Sequence, residues 1–270
     1  MTRVLLVLLV LSLTAIPPGA ADEVAQTDES QDVSEIIAKV NDGIPNLVHG
    51  DVVPNRRRNA ASCTAYGCKW PKSGRYVYVP ITISSAYSRA QRNFIIRSLV
   101  SFHGSTCIRF VWRRWYHWTY LNFFSGSGCW SSVGRRWFGR QSVSLKKNGC
   151  LYTSTVQHEV LHALGFHHEH IRSDRDSYVN ILTQNIQSGK QQNFRKMRTN
   201  NLATRYDFNS VMQYSNNAFS KNGQPTIVAK SNPNLKFGNA RQMSANDIAR
   251  VNRLYRCCEW EKKETLHPVK

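Results

Sequence analysis

Apolar residues recur along the middle of the chain at spacings that change from one segment to the next. In Val77-Tyr78-Val79-Pro80-Ile81-Thr82-Ile83 they form an apolar, β-branched run, which predicts a strand. Pro80 has no backbone N–H to give to a neighbour, so this strand is expected at a sheet edge. Ile95, Leu99 and Phe102 return at helical intervals and mark one face of a helix running from about Ser88 to His103. Cys107-Ile108-Arg109-Phe110-Val111-Trp112 reads as a second strand. Gln141-Ser142-Val143-Ser144-Leu145 reads as a short one before a Lys146-Lys147-Asn148-Gly149 turn. A helix follows, with Ser154 or Thr155 available as its cap. After Asp176 the chain is polar and turn-rich, broken most clearly at Asn232-Pro233-Asn234. Ser244-Ala245-Asn246-Asp247 has the spacing of a capping box and opens a last helix through Ile248, Val251 and Leu254 to Tyr255. No internal repeat is present.

The first residues follow a different pattern. Arg3 precedes Val-Leu-Leu-Val-Leu-Leu-Val-Leu-Ser-Leu, and Pro17-Pro18-Gly19-Ala20-Ala21 comes soon after. A basic start, a short apolar run and small residues describe a secretory signal peptide, with cleavage after Ala20 or Ala21. The run is too short to span a bilayer, and no later segment is apolar enough to do so. The mature chain is therefore expected outside the cell, with storage in secretory granules left open. Its seven cysteines then point to disulfides, with one left over. No acceptor for N-linked glycan is present.

Charge divides the remainder. Residues 22–55 hold eight acids against Lys39, whereas residues 59–270 hold 31 Lys and Arg against nine acids. Such a field favours acidic or polyanionic partners; export argues against nucleic acid among them. The basic run Arg56-Arg57-Arg58 lies where the two regimes meet, and Asn55 leaves a four-residue furin-type site incomplete. A trypsin-like protease is expected to cut after Arg58 and release an acidic pro-segment. The expected organisation is thus a signal peptide (1–21), a pro-segment (22–58), a globular domain (59–258) and a short tail (259–270). The globular part is long enough for one domain with a good core.

The densest chemistry is at 158–176, His-Glu-Val-Leu-His-Ala-Leu-Gly-Phe-His-His-Glu-His-Ile-Arg-Ser-Asp-Arg-Asp. On a helix, His158 and His162 project from one face and can share one Zn²⁺, while Glu159 can reach a water on the metal. Gly165 lets the chain leave through a left-handed residue, so that His168 returns toward the same ion. Three protein ligands leave a coordination position open, the arrangement of a catalytic site.

This signature resembles that of the astacin metalloendopeptidases, within the metzincins. Thr106-Cys107-Ile108-Arg109-Phe110, Ser125-Gly126-Ser127-Gly128-Cys129-Trp130, Asn148-Gly149-Cys150 and Ser210-Val211-Met212-Gln213-Tyr214 are similar to further landmarks of that family. Asn59-Ala60 followed by Cys63 and Cys68 resembles its six-cysteine fish hatching-enzyme and nephrosin branch. The resemblance implies an α+β, two-lobed metzincin domain: a twisted, mostly parallel N-terminal sheet with long helices, the active-site helix, and an irregular C-terminal lobe with one late helix. It implies one zinc ion per chain on His158, His162 and His168, Glu159 as general base, and Met212 as an apolar floor. Tyr214 would be a switchable zinc ligand that swings away to hydrogen-bond the tetrahedral intermediate. Glu169 would tether a new amino terminus at Asn59. Leu47-Val48-His49-Gly50-Asp51 resembles the inhibitory motif, whose Asp51 would occupy the catalytic water's place. The implied disulfides are Cys63–Cys68, Cys107–Cys257 and Cys129–Cys150, with Cys257 against Cys258 left open.

Two departures stand out. Gln213 replaces the usual Met-turn histidine. The stretch 111–124 and its echo at 134–140 are rich in Trp and Arg where relatives are more polar. Half of these aromatics are expected in the core; Trp112, Trp115, Trp118 and Trp137 exceed what one small core needs and are expected on the surface, adhering to an anionic or glycosylated matrix. The expected function is a secreted, zymogen-derived zinc endopeptidase acting as a monomer on extracellular proteins, an egg envelope among them. The alternative is a catalytically weak secreted binding protein that coats anionic matrices.

Overall fold

The structure, a computed structural model, describes residues 32–54 and 68–257. The expected signal peptide, the cut at Arg58, Asn59, Cys63 and Cys258 fall outside the described residues. Twelve elements follow in order: α1 (Val33–Val40), β1 (Lys72–Ser73), β2 (Tyr76–Ile83), α2 (Arg89–Ser105), β3 (Ile108–Trp112), β4 (Thr119–Phe124), β5 (Cys129–Trp130), β6 (Gly139–Leu145), α3 (Thr153–Leu164), β7 (Val179–Ile181), β8 (Ile227–Ala229) and α4 (Ala245–Tyr255).

β2, β3, β4 and β6 run parallel; β1 and β5 are short antiparallel additions. β2 is interior, not the edge strand its proline suggested, pairing with β3 along Val77–Ile81 and with β4 along Ile81–Ile83. Odd-numbered residues of β2 turn their backbone toward β3, as the bonds from Val77 N to Cys107 O and from Arg113 N to Ile81 O record. Pro80 therefore faces the other neighbour, at the gap where pairing with β1 ends at Val77 and pairing with β4 begins at Ile81. Its missing N–H costs no ladder bond there.

α2 starts at a complete Ser88–Gln91 capping box and buries Ile95, Leu99 and Phe102. β4 lies within the aromatic stretch and alternates as a strand with one buried face must, Leu121 and Phe123 inward. α3 is buried from Ser154 to Leu164, as a helix between two lobes should be. Its N-cap is Tyr152, without a side-chain cap bond, so Ser154 and Thr155 sit inside the first turn and do not cap it. The Cys129–Cys150 disulfide holds the chain just before this entry, so a covalent tie fixes the start in place of a cap.

The second lobe has its own small core, with Ile186, Phe194, Ile227 and Phe237 buried around the antiparallel β7–β8 pair. The sequence did not suggest that pair. α4 opens at the expected capping box, Ser244 with Asp247, and turns Val251 and Leu254 inward. Cys257, just beyond it, is bonded to Cys107 at the start of β3 and ties the chain end back to the sheet. Cys68 is also disulfide-bonded.

Candidate active site

α3 carries His158 and His162 on one face, their rings 4.7 Å apart. Gly165 ends the helix at φ 113°, a conformation that other residue types enter at a cost. Its N–H and that of Phe166 return to the carbonyls of His162 and Leu161, and the turn delivers His168 beside the first two. His158 Nδ1 lies 2.8 Å from the Val211 carbonyl, and His162 Nδ1 2.8 Å from that of Phe166. With Nδ1–H donating in both rings, the Nε2 lone pairs are left for a metal. Those atoms converge: 3.1 Å between His158 and His162, 3.2 Å between His158 and His168. A tetrahedron with Zn–N bonds of about 2.0–2.1 Å has edges of roughly 3.3–3.4 Å, so the donor set fits a single zinc ion.

The fourth donor is Asp51. Its carboxylate lies 3.0, 3.1 and 3.4 Å from Nε2 of His158, His168 and His162, and all four groups are buried. Burial alone would raise its pKa, but the imidazoles of His168 and His162 and the hydrogen bonds hold it well below the usual carboxylate range. Glu159 behaves oppositely. Burial, then the charge of Asp51, push it well above the ordinary value. Both Glu159 oxygens are buried without a hydrogen bond to the described residues, so this acid is not used to hold structure.

Asp51 reaches the histidines through an N-terminal segment that adds itself to the cleft. Val48 and Val52 close a tight antiparallel bridge around His49 and Gly50. Ser131 N–H then bonds Asp51 O and Val53 N–H bonds Ser131 O, extending the sheet beyond β5. Asn41 binds the Cys129 backbone on both sides, accepting from its N–H at 2.8 Å and donating to its carbonyl at 2.6 Å. Gly50 has φ +83°, and a Cβ there would lie 3.0 Å from Tyr214 Oη and from Phe219 Cζ.

The Met-turn backs the site. Val211 O accepts from His158, and Met212 O accepts from the Glu169 N–H at 2.9 Å. Met212 is buried. Tyr214 donates its hydroxyl to the His49 carbonyl and stacks on His170, centroids 3.8 Å apart. Gln213 is buried and fully engaged, its oxygen accepting from Tyr206 Oη at 2.6 Å and its amide donating to the Tyr214 carbonyl at 2.8 Å. It therefore braces Tyr214 from behind. Glu169 accepts from Arg250 Nη2 at 2.7 Å, Arg172 Nη1 at 3.0 Å and the Asp207 N–H at 2.7 Å. Its expected partner, Asn59, lies outside the described residues.

Asp247, read in the sequence only as a cap, proves to be a second support. Its carboxylate also accepts from Ser210 Oγ at 2.6 Å and Val211 N–H at 2.9 Å, fixing the turn that orients His158. No local pattern could reveal that link, because its partners lie in a distant turn. Replacing Asp247 with Ala is expected to cost about 2–4 kcal/mol, the sum of a cap and buried hydrogen bonds. Calorimetric unfolding checks this; an unchanged transition would contradict it.

Comparison with known proteins agrees with this geometry. Residues 65–256 match the family model described as Astacin, a family of peptidases. High choriolytic enzyme 2 of Oryzias latipes is 43% identical over 226 residues, covering 83% of this chain and 80% of the relative. The low choriolytic enzyme of the same fish is 39% identical over 243 residues, covering 88% and 89%. Among solved structures, high choriolytic enzyme 1 of Oryzias latipes, a hatching-enzyme zinc protease, superposes with a TM-score of 0.70 at 43% identity, covering 74% of this chain and all of that one. A zinc-binding histidine triad on this fold, matched over the whole globular region, means that the chain belongs to the astacin family of zinc metalloendopeptidases.

Proposed function

We propose that the chain is the secreted zymogen of this endopeptidase, cut after Arg58 and directed at an extracellular protein coat such as an egg envelope. The observation that carries the zymogen reading is the buried Asp51 carboxylate among the three histidines. The leader-like first residues support export, and the names of the choriolytic relatives support the substrate class.

His158, His162 and His168 would hold a zinc ion, which would supply Lewis acidity and lower the pKa of a bound water. Glu159, buried and unpaired, accepts the proton of the attacking water and hands it to the departing amine. The Tyr214 hydroxyl, occupied here by the His49 carbonyl, becomes free to donate to the developing oxyanion once the pro-segment leaves. Ser131, which pairs with the pro-segment backbone, then offers the same edge to a substrate strand. The new amino terminus at Asn59 is assigned to the Glu169 cluster. The intact acid–base and histidine set disfavours a purely adhesive role.

The test is casein hydrolysis by the trypsin-treated protein. Activity should appear with loss of the pro-segment, vanish with a chelator and return with added zinc. Protein that stays inert after clean removal of residues 22–58 would refute the reading.

A further inference from the structure

From Cys68 to His158 the chain carries 14 Lys and Arg and no Asp or Glu. All the exposed large hydrophobic side chains of the described residues lie within that stretch. Trp115, Trp118 and Trp137 are 91%, 72% and 79% exposed, and Trp112, Tyr116 and Phe138 are exposed beside them. The backbone that carries these rings is pinned. His117 N–H bonds the Arg114 carbonyl at 3.0 Å and Arg114 N–H bonds His117 Nδ1 at 2.9 Å, setting Trp115 and Tyr116 at the tip of a closed turn. Trp118 and Phe138 stand 5.8 Å apart at the starts of the paired strands β4 and β6. Exposed guanidinium groups alternate with them, at Arg113, Arg114, Arg136 and Arg140.

Behind the turn runs an open groove of 620 Å³ between Ile96 and Val100 of α2 and Trp112 and Tyr116. The chain that carries Trp137 also lines the catalytic cleft. Ser131 pairs with the pro-segment and Gly134 N–H bonds the His162 carbonyl at 2.8 Å; Trp137 follows Ser131 within a chain reach of at most about 20 Å.

We propose that this Trp/Arg face is a docking exosite for a sulfated polysaccharide of the extracellular matrix, and that it holds the protease on its coat independently of the peptide cleft. Exposed indoles present flat faces for the C–H surfaces of sugar rings, and exposed arginines match sulfate oxygens in paired hydrogen bonds. A stretch without carboxylates leaves nothing to repel a polyanion. The groove beside Trp112, Arg114 and Tyr116 gives a linear chain a path along this face. Only the peptide-hydrolysis control rests on the zymogen reading, because heparin binding is read separately from cleavage.

The probe is heparin, titrated calorimetrically against the trypsin-activated protein at about 0.15 M salt, where long-range surface charge is largely screened. Saturable binding is expected. Trp115→Ala with Trp137→Ala, both on exposed side chains, should weaken it at least about tenfold and leave hydrolysis of a short soluble peptide unchanged. Arg114→Ala with Arg136→Ala should do the same, whereas Lys221→Ala with Lys230→Ala, an equal loss of charge in the other lobe, should change it little. Unchanged binding in the tryptophan pair, equal weakening in the lysine pair, or binding to phosphatidylserine vesicles that heparin fails to displace would each overturn the proposal.

Discussion

Activated protein carrying Glu159→Gln is expected to keep its zinc and to hydrolyse casein about 10³-fold more slowly, within the 10²–10⁴ range of a positioned general base. The substitution is nearly isosteric, so the buried volume is preserved. Among the described residues neither Glu159 oxygen has a hydrogen-bond partner, so no brace is lost. The three histidines, held by the carbonyls of Val211 and Phe166 and by the turn at Gly165, retain their lone-pair geometry. Metal content by atomic absorption, measured beside the rate, separates a chemical defect from a binding one. Near-native activity with full zinc would remove Glu159 from the proton-transfer role. Loss of both together would mean that the residue acts through the metal site instead.

The second large effect is on latency. In a chain made resistant to trypsin by replacing Arg56, Arg57 and Arg58 with Gln, Asp51→Ala is expected to release peptidase activity without cleavage. The carboxylate touches all three histidines and is fully buried, and breaking such a pair costs about 3–5 kcal/mol. That shifts the closed-to-open ratio of the plug by about 10²- to 10⁴-fold. Gly50→Ala keeps the carboxylate but strains its delivery, through the positive φ and the close approach to Tyr214 and Phe219. A smaller, about tenfold rise is expected there, since a left-handed non-glycine residue costs about 1–2 kcal/mol. Full latency in both variants would show that the plug is held by Asn41 and the Val52–Ser131 bridge, and that Asp51 is incidental.

The metal site was legible because its donors are local. His158, Glu159 and His162 are fixed by helical period, and Gly165 and His168 by one turn, so that spacing alone implied convergence. The capping box at Ser244 was equally readable, being complete within four residues, and Ser88 to Gln91 carries the same local pattern. The α3 cap was misjudged because burial and the Cys129–Cys150 tie replaced it. Pro80 misled in a similar way: its chemistry demanded an unpaired N–H position, and the offset of β1 and β4 supplied one inside the sheet. α1, with its Asp32 cap and Val33, Ile36, Ile37 and Val40 at helical spacing, carries a local signal of the same kind, whereas the short β7–β8 pair leaves a weak one.

What the sequence determined by itself, then, is the chemistry: the zinc donors, the free carboxylate, the basic field and the surplus of tryptophan. Periodicity and composition act over short range, and these features need nothing longer. The tertiary structure decided what each group meets. It brought Asp51 across more than a hundred residues to the histidines, gave Asp247 the Met-turn to hold, and set Gln213 behind Tyr214. It also sorted one aromatic stretch into buried Leu121 and Phe123 and exposed Trp115 and Trp118. Burial and charge pairing are properties of neighbours in space, and a linear chain of residues does not state them.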